Sequence, residues 1–150
     1  MSGMYNHAPP GYECFVCRLV TGDPGDNVVV TENEHAVAIV SKRVWANGPG
    51  HVLVLPKVHY ENLYELEDVP ALDIHRLARR IAIAFKEVLG CDGTSTRQHN
   101  EPAGNQDLWH LHLHVFPRYD GDDLYGSWFR DSTHEERLAL AAQLQPAVPH

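Results

Sequence analysis

The chain has 150 residues, 43% of them apolar, and carries a formal net charge of −8. This length suits a single domain with its own core, which we expect over residues 13–146, between a flexible N-terminus (1–12) and a tail (147–150). The negative charge argues against long nucleic acid as a partner but allows a small anionic ligand. Apolar runs are too short to span a membrane and the N-terminus lacks a signal-peptide layout, so we expect a cytoplasmic protein.

Two of the three cysteines form the pattern Cys14-x-x-Cys17. An odd number of cysteines does not indicate a disulfide framework. The spacing instead suits one half of a tetrahedral zinc site, which needs two further ligands from elsewhere in the chain. A redox pair and two buried thiols are the alternative interpretations.

Short apolar strands and one long helix are predicted next along the chain. Residues 28–30 and 36–40 predict a hairpin, and residues 51–56 predict a third strand. Apolar residues recur at helical spacing from Asp68 onwards, and Gly90 ends the pattern, so this segment predicts a long amphipathic helix.

The second half of the chain predicts a further strand, loops and a short helix. Residues 93–100 alternate threonine with other polar residues and predict a strand, whereas residues 45–49 and 119–131 predict loops. A capping box at Thr133 and Glu136 predicts the start of a short helix. Together these elements predict an α+β domain with an antiparallel sheet.

The most informative stretch is 109–118, in which histidines alternate with apolar residues. This period of two is typical of a half-buried strand, with His110, His112 and His114 on one face. Three neighbouring imidazoles need partners, which a metal, an anion or one another's hydrogen bonds can supply. The pattern therefore indicates a functional site but does not choose between metal and phosphate.

This stretch resembles the signature of the histidine triad (HIT) superfamily, in which His-x-His-x-His precedes two apolar residues. The resemblance extends over about residues 13–130 in several separate blocks, which makes it more specific than one motif. The matching blocks, in the family's order, are Cys14-x-x-Cys17, residues 49–59, residues 100–106, residues 106–118 and residues 117–128.

The resemblance implies an antiparallel sheet of about five strands with one long and one short helix, and a homodimer. It implies hydrolysis or transfer at the α-phosphate of a nucleoside phosphoramidate or dinucleoside polyphosphate, through a covalent nucleotidyl-histidine intermediate. His112 matches the nucleophile, His114 the phosphate-contacting histidine, His51 an orienting histidine, and Gln106 a residue that supports phosphate or leaving-group oxygens. The nucleotide-binding residues that it implies are Ile39, Ser41, Asn100, Gln106, His112 and His114.

The resemblance also assigns a metal site. Family members with an N-terminal Cys-x-x-Cys hold zinc with both cysteines, the histidine after Pro-Lys-x and the first triad histidine. In this chain the four ligands are Cys14, Cys17, His59 and His110. A closed set of two cysteines and two histidines is typical of structural zinc.

Departures from the family pattern occur beside the predicted site. Asp107 stands where the family has serine or threonine, and it is either a protonated general acid for the leaving group or a structural loop residue. Ser41 stands where an acid or amide holds the ribose, and Asn105 is an insertion. Ile39 either forms the wall against the base or belongs to the core.

Two other functions stay open at this point. A metallohydrolase can hold a catalytic zinc with His110, His112 and His114, although the cysteine pair is then unexplained. A nucleotide-binding module with little turnover can keep the same residues for binding alone.

Overall fold

The computed structural model describes residues 3–150, which form three α-helices and seven β-strands. In chain order these are α1 (Phe15–Val20), β1 (Val29–Glu32), β2 (Ala36–Val40), β3 (Arg43–Trp45), β4 (Val52–Pro56), α2 (Asp68–Val88), β5 (Gly93–Arg97), β6 (Leu113–Arg118), β7 (Phe129–Asp131) and α3 (His134–Leu144). Short 3-10 helices cover Leu63–Glu65, Pro102–Gly104, Leu124–Gly126 and Gln145–Ala147.

Five strands form one antiparallel sheet in the order β1-β2-β4-β6-β5, and β3 pairs with β7 in a separate small sheet. The predicted α+β class with a five-stranded antiparallel sheet is confirmed. Helix α1 and the small sheet are additions to the prediction. Both are too short for periodicity to reveal, because six or three residues do not complete a recognisable apolar repeat.

The main sheet is covered on both faces, which explains why β2 and β4 are apolar throughout. Ala38 and Val54 point to the face that packs on α2, whereas Ile39 and Leu53 point to the opposite face, beside α1. Residues of α2 recur at helical spacing and bury the first face; they are Ile74, Leu77, Ile81 and Phe85. The strand alternation thus separates a structural face from the face that carries the site.

The histidine strand is shorter than predicted, because β6 begins at Leu113 and residues 109–112 lie outside the sheet. Pairing with β4 starts at Leu113 opposite Val54. Two residues further along β4, the carbonyl oxygen of Pro56 accepts a hydrogen bond from the His110 ring at 2.8 Å. The backbone N–H of Leu111 donates instead to the carbonyl of Tyr60 at 2.7 Å.

The small sheet overlaps the two predicted loops in part: β7 forms the end of the loop predicted for 119–131, and β3 meets the loop predicted for 45–49 only at Trp45. Arg43 pairs with Asp131, and Trp45 pairs with Phe129, whose ring lies 5.2 Å from the Trp45 ring. Side chains of this sheet reach the main sheet through Tyr125, which contacts both Trp45 and Phe116 edge-on. The small sheet is therefore an aromatic extension of the main sheet at the end of β6.

Residues close to both ends of the described chain contact the domain. The backbone N–H groups of His7 and Ala8 donate to the buried carboxylate of Glu61 at 2.6 and 3.0 Å. Near the C-terminus, the predicted capping box at Thr133 begins α3, and Val148 packs against the core. Residues 1 and 2 of the predicted N-terminal segment lie outside the described residues. Between residues 3 and 150, none of the helices combines the length and apolar character that a membrane span requires.

Candidate functional site

A cavity of about 200 Å³ opens on the face of the main sheet that α2 does not cover. Its position follows from the strand alternation, since the side chains of Ile39, Leu53 and His114 share that face. Six of the predicted site residues line this cavity: Ile39, Ser41, His51, Asp107, His112 and His114. The structure therefore brings together residues from four separate parts of the chain.

The His112 ring is held by the backbone of His110. Its Nδ1 lies 2.9 Å from the carbonyl oxygen of His110, and a carbonyl can only accept, so Nδ1–H is the donor. In the neutral ring, Nε2 then keeps its lone pair. A neutral imidazole that lines a cavity with a free nitrogen lone pair is equipped to act as a nucleophile.

His51 and His114 form a hydrogen-bonded relay beside it. The Nδ1–H of His51 donates to the Arg43 carbonyl at 3.3 Å, which leaves its Nε2 to accept from His114 Nδ1–H at 2.8 Å. The His51 ring also stacks on Phe116 at 4.2 Å. The relay fixes the tautomer and the orientation of His114, as the resemblance implies for an orienting histidine.

Burial keeps these histidines neutral. It lowers the pKa of His51 to about 3, and it also lowers the pKa values of His112 and His114. The repulsion that His112 and His51 would exert in their charged forms lowers the pKa of His114 further. Three adjacent imidazoles are thus present as neutral rings at pH 7, which the tautomer assignments require.

The His51 shift predicts a stability that depends on pH. Unfolded His51 takes up a proton near pH 6.5, whereas folded His51 stays neutral until about pH 3. Between pH 6.5 and pH 3 the unfolded state therefore binds a proton that the folded state does not. The free energy of unfolding falls as the pH drops below 6.5, by about 2 kcal/mol at pH 5. In urea unfolding at pH 7 and pH 5, we expect His51→Gln to lose less stability on acidification than the wild type. Equal losses in the two proteins would contradict the assignment.

Asn100 and Gln106 lie next to the cavity rather than in its wall. The Gln106 amide donates to the carbonyls of Glu61 and Leu108 at 2.6 and 3.0 Å, and its oxygen accepts from the N–H of Glu101 at 2.8 Å. Asn100 Oδ1 accepts from the N–H of Leu63 at 2.7 Å. In this structure both side chains shape the loop that precedes the histidines.

That loop contains backbone conformations that most side chains avoid. Glu101 and Asn105 have φ values of 62° and 71°. Left-handed conformations of this kind persist where the surroundings impose them, and the bonds of Gln106 supply that restraint. The inserted Asn105 therefore occupies a turn that asparagine tolerates better than most residues.

Two cationic residues of the cavity wall were not predicted as site residues. Lys42 and Arg43 follow β2 and line the cavity together with Asp107. The Arg43 Nη1 lies 3.4 Å from the Asp107 carboxylate. The sequence feature that could have indicated them is a pair of adjacent cations shortly after the buried strand β2. Asp107, the partner of Arg43, is distant in sequence, so the pairing itself is not visible there.

The predicted metal ligands converge at a second site. One ligand atom each from Cys14, Cys17, His59 and His110 lie within 4.8 Å of one another. Nδ1 of His110 lies 3.3 Å from the Cys14 sulfur and 3.1 Å from His59 Nδ1, which itself lies 3.4 Å from the Cys17 sulfur. Tetrahedral zinc with nitrogen and sulfur ligands has ligand–ligand edges of about 3.3–3.8 Å. These side chains therefore fit a tetrahedral metal ion.

Local chemistry supports that fit. His110 Nε2–H donates to the Pro56 carbonyl, so Nδ1 presents its lone pair to the cysteines, and burial lowers the pKa of His110 to about 4. Burial, reinforced by Cys14, raises the pKa of the Cys17 thiol to about 11. A cation at the centre would offset this and favour the thiolates. Helix α1 places Cys14 at its N-cap and Cys17 one turn later, on the same side.

The HIT domain model matches residues 25–121 of the chain. Protein hit of Bacillus subtilis is 32% identical over 123 residues, which cover 82% of this chain and 81% of that relative. The chain therefore belongs to the HIT family, as the histidine stretch predicts.

Solved structures agree with this membership. A zinc-bound histidine triad family protein from Mycobacterium smegmatis superposes with a TM-score of 0.76 at 32% identity, covering 91% of this chain and 93% of that protein. Diadenosine triphosphate hydrolase from Plasmodium falciparum superposes with a TM-score of 0.69, covering 79% and 74%. At 17% identity, this second likeness shows the fold alone.

Proposed function

We propose that this protein is a nucleotidyl hydrolase or transferase that cleaves at the α-phosphate of a nucleoside phosphoramidate or dinucleoside polyphosphate. The observation that carries the proposal is the hydrogen bond from His112 Nδ1–H to the His110 carbonyl. It directs the lone pair to Nε2 on a ring that lines the cavity, which is the requirement for covalent catalysis by histidine.

The proposed reaction has two steps. His112 Nε2 forms a bond to the α-phosphorus while the bond from phosphorus to the leaving group breaks. Water then attacks phosphorus, the N–P bond breaks, and the nucleoside monophosphate is released with the neutral imidazole restored. Negative charge on the phosphate favours a protonated His114, which would stabilise the charge that develops on the phosphate oxygens.

The remaining cavity residues are proposed to bind the nucleotide. Ile39 offers an apolar surface to the base, and Ser41 offers a hydroxyl at the edge of the same wall. Asn100 and Gln106 are proposed to act on the phosphate through the loop that they hold, since their side chains already bond to backbone groups.

We further propose that Cys14, Cys17, His59 and His110 hold zinc in a structural role. Zinc at this position would cross-link α1 to the segment before β6 and so contribute folding energy. Support comes from the tetrahedral fit of the four side chains and from the zinc-bound relative of Mycobacterium smegmatis.

The alternative of a three-histidine catalytic zinc has less support. His110 Nδ1 points to Cys14 and His59, and His112 Nδ1 is engaged by a carbonyl, so the three rings do not converge on one point. A binding module with little turnover has the same site residues, and only a measurement of turnover separates it from the enzyme.

Trapping the intermediate tests the proposal. Purified protein is incubated with diadenosine triphosphate or an adenosine phosphoramidate, quenched in alkali because phosphoramidates are acid-labile, and analysed by mass spectrometry. We expect turnover and an adenylyl group on His112. Absence of turnover of both substrates would contradict the enzyme and favour the binding module.

The homodimer stays a prediction. Strand β5 lies at an edge of the main sheet, so its outer side lacks a neighbouring strand within this sheet. Light scattering coupled to size-exclusion chromatography tests this point, and a monomer mass would contradict it.

A further inference from the structure

The small sheet is the part of the fold that the proposed chemistry does not explain. Strands β3 and β7 pair in register, with Arg43 opposite Asp131 and Trp45 opposite Phe129. The guanidinium carbon of Arg43 lies 4.3 Å from the centre of the Phe129 ring. At this distance the ring attracts the cation and restricts its orientation. The small sheet therefore holds Arg43 at the wall of the catalytic cavity.

The cavity wall carries two cationic and two acidic side chains, but the two cations have different partners. Lys42 and Arg43 line it together with Asp107 and Asp131. The Lys42 ammonium already bonds to Asp26 at 2.7 Å, which leaves Arg43 as the cation that faces Asp107. The Asp107 side chain is 60% exposed and meets Arg43 at a long 3.4 Å.

An exposed ion pair of this kind contributes little free energy, so a competing anion can displace it. Asp107 can then turn to water, because it is largely exposed, whereas Arg43 stays beside the Phe129 ring. A phosphate group is the stronger partner for guanidinium, because it can accept two parallel hydrogen bonds from it. The geometry thus presents a restrained cation to an incoming phosphate.

Arginine also discriminates between kinds of leaving group. An amine must gain a proton as its bond to phosphorus breaks, and arginine, with a pKa above about 12, does not give one up. A phosphate leaves as an anion, and a fixed cation stabilises the charge that develops on it. Arg43 can therefore assist the departure of phosphate but not of an amine.

We propose that Arg43 binds the phosphates of the leaving group, so that the site favours nucleotides joined to a further phosphate chain over those joined to an amine. This rests on the proposed function, because it assumes attack by His112 on the α-phosphorus. With diadenosine triphosphate, the Nε2–P bond forms as the bridging P–O bond breaks, and ADP leaves with the electron pair. Hydrolysis of the N–P bond by water then releases AMP, and the proton from water passes to solvent.

The test compares two substrates in three proteins. Diadenosine triphosphate and an adenosine alkyl-phosphoramidate are assayed with the wild type, Arg43→Gln and Arg130→Gln. Arg130 is a matched control, because it lies on the same small sheet, is 46% exposed like Arg43, and also pairs with a carboxylate. We expect Arg43→Gln to lower kcat/KM for diadenosine triphosphate by about 10- to 100-fold, the range of a charge-assisted pair, and for the phosphoramidate by less than about threefold. Arg130→Gln should change neither value by more than about threefold.

A binding measurement separates failure of this proposal from failure of the proposed function. AMP and the non-hydrolysable α,β-methylene analogue of ATP are titrated into the wild type and Arg43→Gln by calorimetry. We expect Arg43→Gln to weaken the analogue about tenfold or more and AMP hardly at all. Equal weakening of both ligands, or equal loss of kcat/KM on both substrates, would overturn the role of Arg43. Selective weakening without turnover of either substrate would support Arg43 and overturn the enzyme.

Discussion

Replacing His112 with alanine is expected to lower turnover by several orders of magnitude while nucleotide affinity changes by less than about tenfold. The substitution removes the lone pair on Nε2, and no other imidazole takes its place. Both ring nitrogens of His51 are engaged, by the Arg43 carbonyl and by His114 Nδ1–H, and the protonated His114 proposed for the phosphate complex has no free lone pair. Most of the cavity wall is unchanged, so binding should persist.

Steady-state kinetics on diadenosine triphosphate and calorimetric titration with AMP measure the two quantities. His99→Ala is the matched control, because the His99 ring lies 5.9 Å from the His114 ring but does not line the cavity. The control should keep most of the activity. A His112→Ala protein that retained more than a few per cent of the wild-type rate would exclude the covalent mechanism.

The second large effect concerns the metal cluster. We expect one zinc ion per chain in metal analysis, and we expect Cys14→Ser to lose it and to lower Tm by about 10 °C, since structural zinc contributes folding energy. Loss of the ion leaves buried His110 and the Cys17 thiol without the cation that their arrangement fits. Activity at low temperature should fall less than stability, because none of the four ligands lines the cavity, although Phe15 and the segment before His112 adjoin the cluster.

Cys91→Ser provides the matched control for this substitution. Cys91 is a free, buried cysteine outside the cluster, so the same chemical change there should keep the zinc and lower Tm by only a few degrees. If metal analysis found no zinc in carefully purified protein, the proposed zinc site would be contradicted. Lost chemistry at unchanged Tm would instead support a catalytic metal.

Much of the fold could be predicted because its signals are local. Strands β2 and β4 are continuous apolar runs, and α2 repeats apolar residues at helical spacing, so each element is visible within its own residues. The capping box of α3 is similarly local. By contrast, β3 and β7 are three residues each and exist only because they pair with each other and pack through Trp45.

The sequence predicts which residues belong to the candidate site, but it predicts less well how their side chains are arranged. Period two predicts all three triad histidines on one face; His112 and His114 do lie together at the cavity, whereas the His110 ring belongs to the metal cluster. It did not reveal that the strand begins only at Leu113, which frees the His110 ring to turn towards Cys14. Similarly, nothing in the sequence shows that the Gln106 amide bonds to the Glu61 and Leu108 carbonyls instead of lining the cavity.

The sequence by itself determined the family, the central strands, the long helix and the residue types that can attack phosphorus or hold zinc. These depend on composition and spacing within short segments, where neighbouring residues impose the period. Only the tertiary structure decided which ring nitrogen carries the proton in the site histidines and which cation faces the cavity. The His114 tautomer depends on His51 and the Arg43 carbonyl, and the position of Arg43 depends on Phe129, all distant in sequence. Hydrogen bonds and ring contacts act over a few ångströms, so they exist only once the chain has folded and brought these groups together.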